Sequence, residues 1–252
     1  MNDALATVRG RRILVTGAAR GIGRAVLEAA LAQGARVVAV DLPAAELDAV
    51  GAGLPTGSAA RGLDLRDVTA FPALCADAAA VMGGLDALVH VAGVIVRRDL
   101  EDVTEADWDL QHDVNLKATF FLCREVARTI RSHGSGGSLV TFASQGWWTG
   151  GFGGSVAYAA SKGGVVSMTR GLARTLAADR IRVNAVAPGF IDTDMMREGV
   201  SDQARRDLVE QVPLGRLGDP AEVAAAALFL VSEASAYMTG TTLNLSGGQL
   251  AY

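Results

Sequence analysis

Ile13-Leu14-Val15-Thr16-Gly17-Ala18-Ala19-Arg20-Gly21-Ile22-Gly23 is the stretch on which the fold turns. Its first four residues are apolar or β-branched and read as a buried strand. The glycines follow at Gly-x-x-x-Gly-x-Gly spacing, and Arg24-Ala25-Val26-Leu27-Glu28-Ala29-Ala30-Leu31-Ala32 reads as a helix. Strand, glycine turn and helix N-terminus in that order can seat a pyrophosphate. Missing Cβ atoms let the backbone approach the phosphates, and the free N–H groups and dipole of the helix favour their charge. A glycine turn alone is weak evidence, because a tight βα connection needs the same residues.

Outward from this unit, short runs rich in Val, Ile and Leu alternate with longer Ala-rich stretches. Strands buried on both faces and covered by helices produce that pattern. Strands are expected at Arg12 to Thr16, Arg36 to Asp41, Ala60 to Asp64, Ala87 to Ala92, Ser138 to Ser144, Arg182 to Ala187 and Thr242 to Leu245. The right-handed crossover rule stacks such units into an α/β fold: a single doubly wound, Rossmann-type domain over residues 1–252 with a seven-stranded parallel sheet. Two segments are expected to be irregular and functional, Gly146 to Ser155 and a substrate loop at about 189–218.

Composition excludes several classes. A net charge of -4 and a pI near 5.4 leave no electrostatic footprint for nucleic acid or an anionic membrane surface. Mean hydropathy is +0.28, but the apolar run Ala224 to Val231 is far too short to span a bilayer, which takes about 20 residues. The first twelve residues lack the pattern of a secretory signal, so a cytoplasmic location is expected. Cys75 and Cys123 have no partner spacing, and His90, His112 and His133 are scattered, so no metal site is expected.

Asp41 closes the second strand, where a carboxylate can accept from an adenine-ribose 2′-hydroxyl and repel a 2′-phosphate. That favours NAD over NADP. Arg20, in the glycine turn, argues the other way, since a guanidinium can pair with a 2′-phosphate.

Tyr158 and Lys162 lie four apart in a helical stretch and so share one face. Lys117 and Lys162 are the only lysines among 23 basic residues, so a lysine here runs against the bias of the chain. A phenol with a pKa of ~10 needs roughly 4 kcal/mol of help to act as a base near neutrality. An ammonium about 4 Å away would supply on the order of 4 kcal/mol at an effective dielectric of ~20. Ser144, at the end of the fifth strand, can hydrogen-bond a substrate oxygen.

From TGAARGIG through YAASK to TGTTLNLSGG the chain resembles the short-chain dehydrogenase/reductase family. The resemblance implies a hydride transfer between NAD(H) and a secondary alcohol or ketone, with Tyr158 as acid/base, Ser144 polarising the substrate and Lys162 holding the nicotinamide ribose. Asn115 would be the fourth catalytic residue, bending its helix and organising a water relay to Lys162. The dinucleotide would touch Gly17, Arg20, Gly21, Ile22, Gly23, Asp41, Asp64, Leu65, Ala92, Gly93, Tyr158, Lys162, Pro188, Gly189, Ile191 and Thr193. The chain departs from the family in reading His90-Val91-Ala92-Gly93 where Asn-Asn-Ala-Gly is usual. The amide that ties adjacent strands is thereby lost, and His90 reads as a satisfied core histidine. The family also implies a homotetramer, with the C-terminal LSGGQLAY reaching a neighbour.

Ser144, Gln145, Trp147 and Tyr158 are the candidate substrate contacts. Trp147, Trp148 and Phe152 suit a bulky apolar or ring-shaped ligand, or else lid packing. Arg97 and Arg98 read as a solvated pair beside Asp99, the alternative being a receptor for a substrate carboxylate. The run Ala92 to Trp108 is similar to sugar-acid dehydrogenases, and the general pattern to 3-oxoacyl-carrier reductases that would use NADPH. A protein that senses dinucleotide without turnover shares the fold.

Overall fold

The computed structural model describes residues 7–197 and 201–250. Seven parallel strands form one sheet: β1 (Arg12–Thr16), β2 (Arg36–Asp41), β3 (Ala59–Gly62), β4 (Ala87–His90), β5 (Gly137–Phe142), β6 (Ile181–Pro188) and β7 (Thr242–Leu245). Their order is β3-β2-β1-β4-β5-β6-β7. The order reverses direction between β1 and β4, and the crevice at such a switch point is where open α/β sheets bind ligands.

Ten α-helices are described: α1 (Gly21–Ala32), α2 (Ala45–Ala52), α3 (Phe71–Met82), α4 (Glu105–His112), α5 (Ala118–His133), α6 (Gly146–Thr149), α7 (Val156–Leu176), α8 (Asp194–Arg197), α9 (Asp202–Glu210) and α10 (Pro220–Val231). Strand alternation divides the core. Ile13, Val15, Val89 and Val140 face a layer with Val26 and Leu27 of α1 and Leu228 of α10. Leu14, Leu88 and Leu139 face a second layer with Leu74 of α3, Leu122 of α5 and Leu176 of α7.

Three strands, β3, β4 and β5, stop two residues short of the expected ends. Single backbone bonds run on past β3 and β5, from Leu63 N–H to the Asp41 carbonyl and from Ala143 N–H to the Val186 carbonyl, while side chains take part beyond β4 and β5: Ala92 N–H donates to Thr16 Oγ1 at 3.3 Å, and Ser144 Oγ accepts from Gly146 N–H at 3.2 Å. The two expected irregular segments are partly helical. Gly146 to Ser155 contains α6, and 189–218 contains α8 and α9, the latter capped by Ser201, which accepts from Ala204 N–H. Residues 198–200 of that loop, residues 1–6 of the expected domain and residues 251–252 of the C-terminal segment lie outside the described residues. Among the described residues no group of His, Cys, Asp and Glu could hold a metal, and no helix is long and apolar enough to cross a membrane.

Candidate active site

The end of β5 docks both functional groups of α7. Lys162 Nζ donates to the carbonyl of Phe142, the last residue of β5, at 2.8 Å, and two residues further on Ser144 is near enough to the Tyr158 phenol to pull its pKa down. Helical periodicity puts Tyr158 one turn from Lys162, so a strand end and one helix face converge on the same spot. Lys162 Nζ lies 5.7 Å from the Tyr158 ring centroid, and the lysine is buried.

The electrostatics correct the expectation for Tyr158. Burial pushes its pKa up, against smaller downward pulls from the Ser144 hydrogen bond and from the charge of Arg97. Burial also lowers Lys162 to about 8, because desolvation disfavours its ammonium. The protein's own residues therefore hold Tyr158 as a neutral acid, while Lys162 becomes easy to deprotonate.

Asn115 sits in a five-residue π-helical turn, Asp113–Lys117, between α4 and α5, where Ala118 N–H donates to the Asp113 carbonyl. Such bulges re-aim residues at functional sites. Its amide is fully engaged: Oδ1 accepts from Val94 N–H at 2.8 Å, and Nδ2 donates to the Val94 carbonyl at 2.9 Å and to Ser161 Oγ at 3.0 Å. Ser161 Oγ in turn donates to the Tyr158 carbonyl at 2.7 Å. This Ser161 bridge was missed in the sequence, where only its place between Tyr158 and Lys162 pointed to it.

The glycine turn fits a dinucleotide. A Cβ on Gly17, whose φ is +68°, would come within 2.9 Å of Ala92 N, and one on Gly23 would drive into the Gly17 carbonyl. The first turn of α1 carries no acidic residue, and no side chain caps it, so its N–H groups remain for an anion. Gly21 faces Thr193, whose Cγ2 lies 3.5 Å from where a Cβ would stand. Gly93 leaves no room either, since a Cβ there would meet Asn115 Oδ1 at 3.1 Å and Lys162 Nζ at 3.3 Å. These contacts join the turn, the end of β4 and Lys162 into one groove.

Other candidates fall around it. Asp41 accepts from Ala19 N–H at 2.9 Å and from Leu42 N–H at 2.8 Å, which aims its carboxylate at the glycine turn, and Arg20 is exposed. Ile22 is half-buried and packs on the α1 layer. Asp64 is already gripped by Arg66, with Nε 2.9 Å from Oδ2, which holds its carboxyl below the usual range, and Leu65 is buried in the second layer. The Pro188 carbonyl accepts from Gln145 N–H at 2.9 Å, Gly189 N–H donates to Leu245, and Ile191 bridges to Gly218.

His90 departs from expectation. Its Nδ1 lies 2.8 Å from Thr16 Oγ1, so an imidazole restores the tie between β1 and β4 that the missing amide would make. Among the described residues its Nε2 is buried without a hydrogen-bond partner, so it is only half satisfied there, and burial together with the Lys162 charge lowers its pKa to about 3. Gln145 Oε1 is likewise buried and unpartnered among the described residues. Trp147 packs on Ala143, Val166 and Ala187, whereas Trp148 and Phe152 are exposed and Phe152 meets Phe190 edge-on at 6.1 Å. Arg97, Arg98 and Asp99 are all exposed, as the solvated reading expects, but the two arginines differ in their partners. Arg98 turns to Asp107, 3.6 Å away, and Arg97 has no ion pair among the described residues.

The family model described as Enoyl-(Acyl carrier protein) reductase matches residues 17–249. The chain is 37% identical over 241 residues to the 3-oxoacyl-(acyl-carrier-protein) reductase FabG of Escherichia coli K12, covering 95% of this chain and 97% of the relative. It is 38% identical over 246 residues to FabG of Thermotoga maritima, covering 96% and 98%. A solved structure from Sinorhizobium meliloti 1021, described as a candidate short-chain alcohol dehydrogenase, superposes with a TM-score of 0.91 at 36% identity over 97% of this chain and 98% of that one. The chain belongs to the short-chain dehydrogenase/reductase family, NAD(P)-dependent oxidoreductases acting on alcohol and carbonyl groups.

Proposed function

We propose that this oxidoreductase moves a hydride between NAD(H) and a secondary alcohol or ketone, with Tyr158 as the acid/base, and the convergence of Tyr158 and Lys162 on the end of β5 carries that reading. Gly17, Arg20, Gly21, Ile22 and Gly23 would hold the pyrophosphate, and Asp41 the adenine ribose. Asp64 and Leu65 would lie at the adenine. Ala92, Gly93, Tyr158, Lys162, Pro188, Gly189, Ile191 and Thr193 would surround the nicotinamide half. When bound, the nicotinamide supplies the hydride, or accepts it and brings a positive charge.

Tyr158 gives its proton to the carbonyl oxygen during reduction and recovers one during oxidation. In the reductive direction it acts from the neutral phenol form that burial preserves. Ser144 donates to the developing oxyanion, since its hydroxyl acts on the same phenol that carries the proton. Lys162 binds ribose hydroxyls and offsets charge on the phenolate. Asn115 holds Val94 and Ser161 so that Lys162 and Gly93 stay in register. Ser144, Gln145, Trp147 and Tyr158 form the substrate end, under the loop at about 189–218.

Asp41 supports NAD, through its position at the end of β2. A second reading, an NADPH-dependent 3-oxoacyl reductase, is favoured by the FabG relatives and by Arg20 in the glycine turn. A dinucleotide sensor without turnover would have no use for the Tyr158–Ser144–Lys162 arrangement. The rest of our reading is one domain, assembled as a homotetramer in the cytoplasm, that binds neither nucleic acid nor membrane. The decisive experiment is Tyr158→Phe, followed at the dinucleotide absorbance band on ketones and alcohols. Dinucleotide affinity should persist while turnover falls about 10²- to 10⁴-fold, the usual worth of a positioned proton donor. Undiminished turnover would overturn the role.

A further inference from the structure

We propose that Arg97 selects substrates carrying a carboxylate within a few bonds of the carbon that is oxidised or reduced. The inference rests on the reading of Tyr158 as the acid/base and adds the substrate class.

Beyond β4 the chain is held at every second residue. Asn115 takes both backbone groups of Val94, Gln111 Oε1 accepts from Val96 N–H at 3.0 Å, and the Gly154 carbonyl accepts from Arg98 N–H at 3.0 Å. Gln111 and Asn115 are buried, so these anchors are fixed parts of the scaffold. Gly154 must be glycine, because its φ is +72° and a Cβ would run into the Arg98 backbone. The segment containing Arg97 is thereby clamped against the loop that leads into Tyr158.

The two neighbouring arginines then divide. Arg98 is committed to Asp107, whereas Arg97 is exposed and makes no ion pair or hydrogen bond among the described residues. It stands close enough to the reacting phenol for its charge to act there. A guanidinium on a pinned backbone, left unneutralised at a site mouth, favours an anionic ligand. Its planar fork matches a carboxylate in two parallel hydrogen bonds. The dinucleotide phosphates do not account for it, because the glycine turn that would take them lies at the end of β1.

The test compares each oxo acid with its methyl ester: acetoacetate, levulinate and benzoylformate, reduced by the wild type, Arg97→Gln and Arg97→Lys, with Arg131→Gln as control. Arg131 pairs with Asp179 at the N-terminal end of β5 and β6, the other end of the strands from the site. The wild type is expected to prefer the acid. In Arg97→Gln the acid-to-ester ratio of kcat/KM should fall about ten- to a hundredfold, the range that a hydrogen bond to a charged group supplies. Arg97→Lys should keep part of the preference, and the control all of it. An ester preference in the wild type, or a ratio unchanged in Arg97→Gln, would overturn the proposal. Should no pair be turned over, fluorescence titration of the dinucleotide-loaded enzyme with benzoylformate decides: weaker binding in Arg97→Gln supports the assignment, and equal or absent binding defeats it. The Tyr158→Phe result is independent of these ratios, so failure of the acid/base reading is distinguishable from failure of this one.

Discussion

The side-chain amide of Asn115 closes on the backbone of Val94 from both sides, accepting from its N–H at 2.8 Å and donating to its carbonyl at 2.9 Å. A single side chain thus replaces the partner strand that β4 loses after His90. The π-helical turn provides the aim, since it displaces Asn115 from the register a continuous helix would impose.

Asn115→Ala is expected to strand both Val94 groups. Loss of buried hydrogen bonds should cost about 2 kcal/mol or more in urea denaturation. Turnover should fall too, because Gly93 and Lys162 are positioned through the same contact. Wild-type stability with reduced turnover would mean that the clamp is not structural.

Asp41 should govern the choice of dinucleotide. In Asp41→Ala the ratio of kcat/KM for NADP over NAD is expected to rise at least about tenfold, since a like charge facing a 2′-phosphate is removed. An unchanged ratio, measured by titrating both dinucleotides, would show that the carboxylate serves only Ala19 and Leu42.

His90 makes stability fall with acid. Its folded pKa is lowered to about 3, well below the unfolded value, so the unfolded chain binds the proton more readily. The neutral-ring contribution is complete above about pH 6.5 and drains away as pH falls toward 3. Between pH 7 and 4.5 the wild type should lose about 2 kcal/mol more than His90→Asn in parallel urea titrations. Matching losses would mean that the imidazole does not stay neutral.

Lys162, lowered to about 8, should titrate before Tyr158 as pH rises above neutrality. The log of kcat/KM for ketone reduction is therefore expected to bend downward near pH 8 as the ammonium is lost. A profile level to pH 10 would remove Lys162 from the electrostatics of the reaction.

Strands β1, β2 and β7 were legible to the residue, because apolar runs bounded by turn residues leave few alternatives. The ends of β4 and β5 were not, since Ala92 and Ser144 keep strand-like sequence while the Ala92 N–H and the Ser144 hydroxyl bond outside the ladder. The helices α8 and α9 were hidden for another reason: glycines and a proline punctuate the 189–218 segment, and the α9 stretch is mostly charged, so the Ser201 cap is its clearest local mark. Arg97 and Arg98 looked alike in one dimension. Their divergence came from Asp107 and Gly154, which are remote in sequence.

By itself, the sequence determined the parallel sheet, the glycine turn and the Tyr158–Lys162 pair, because strand burial, missing Cβ atoms and helical pitch are local properties of neighbouring residues. Only the tertiary structure decided what each group experiences. Tyr158 is raised rather than lowered, Lys162 is bound to the Phe142 carbonyl, His90 is tied to Thr16, and Arg97 has no ion pair or hydrogen bond among the described residues. Desolvation and pairing depend on which distant segments fold over a side chain, and no local pattern encodes that.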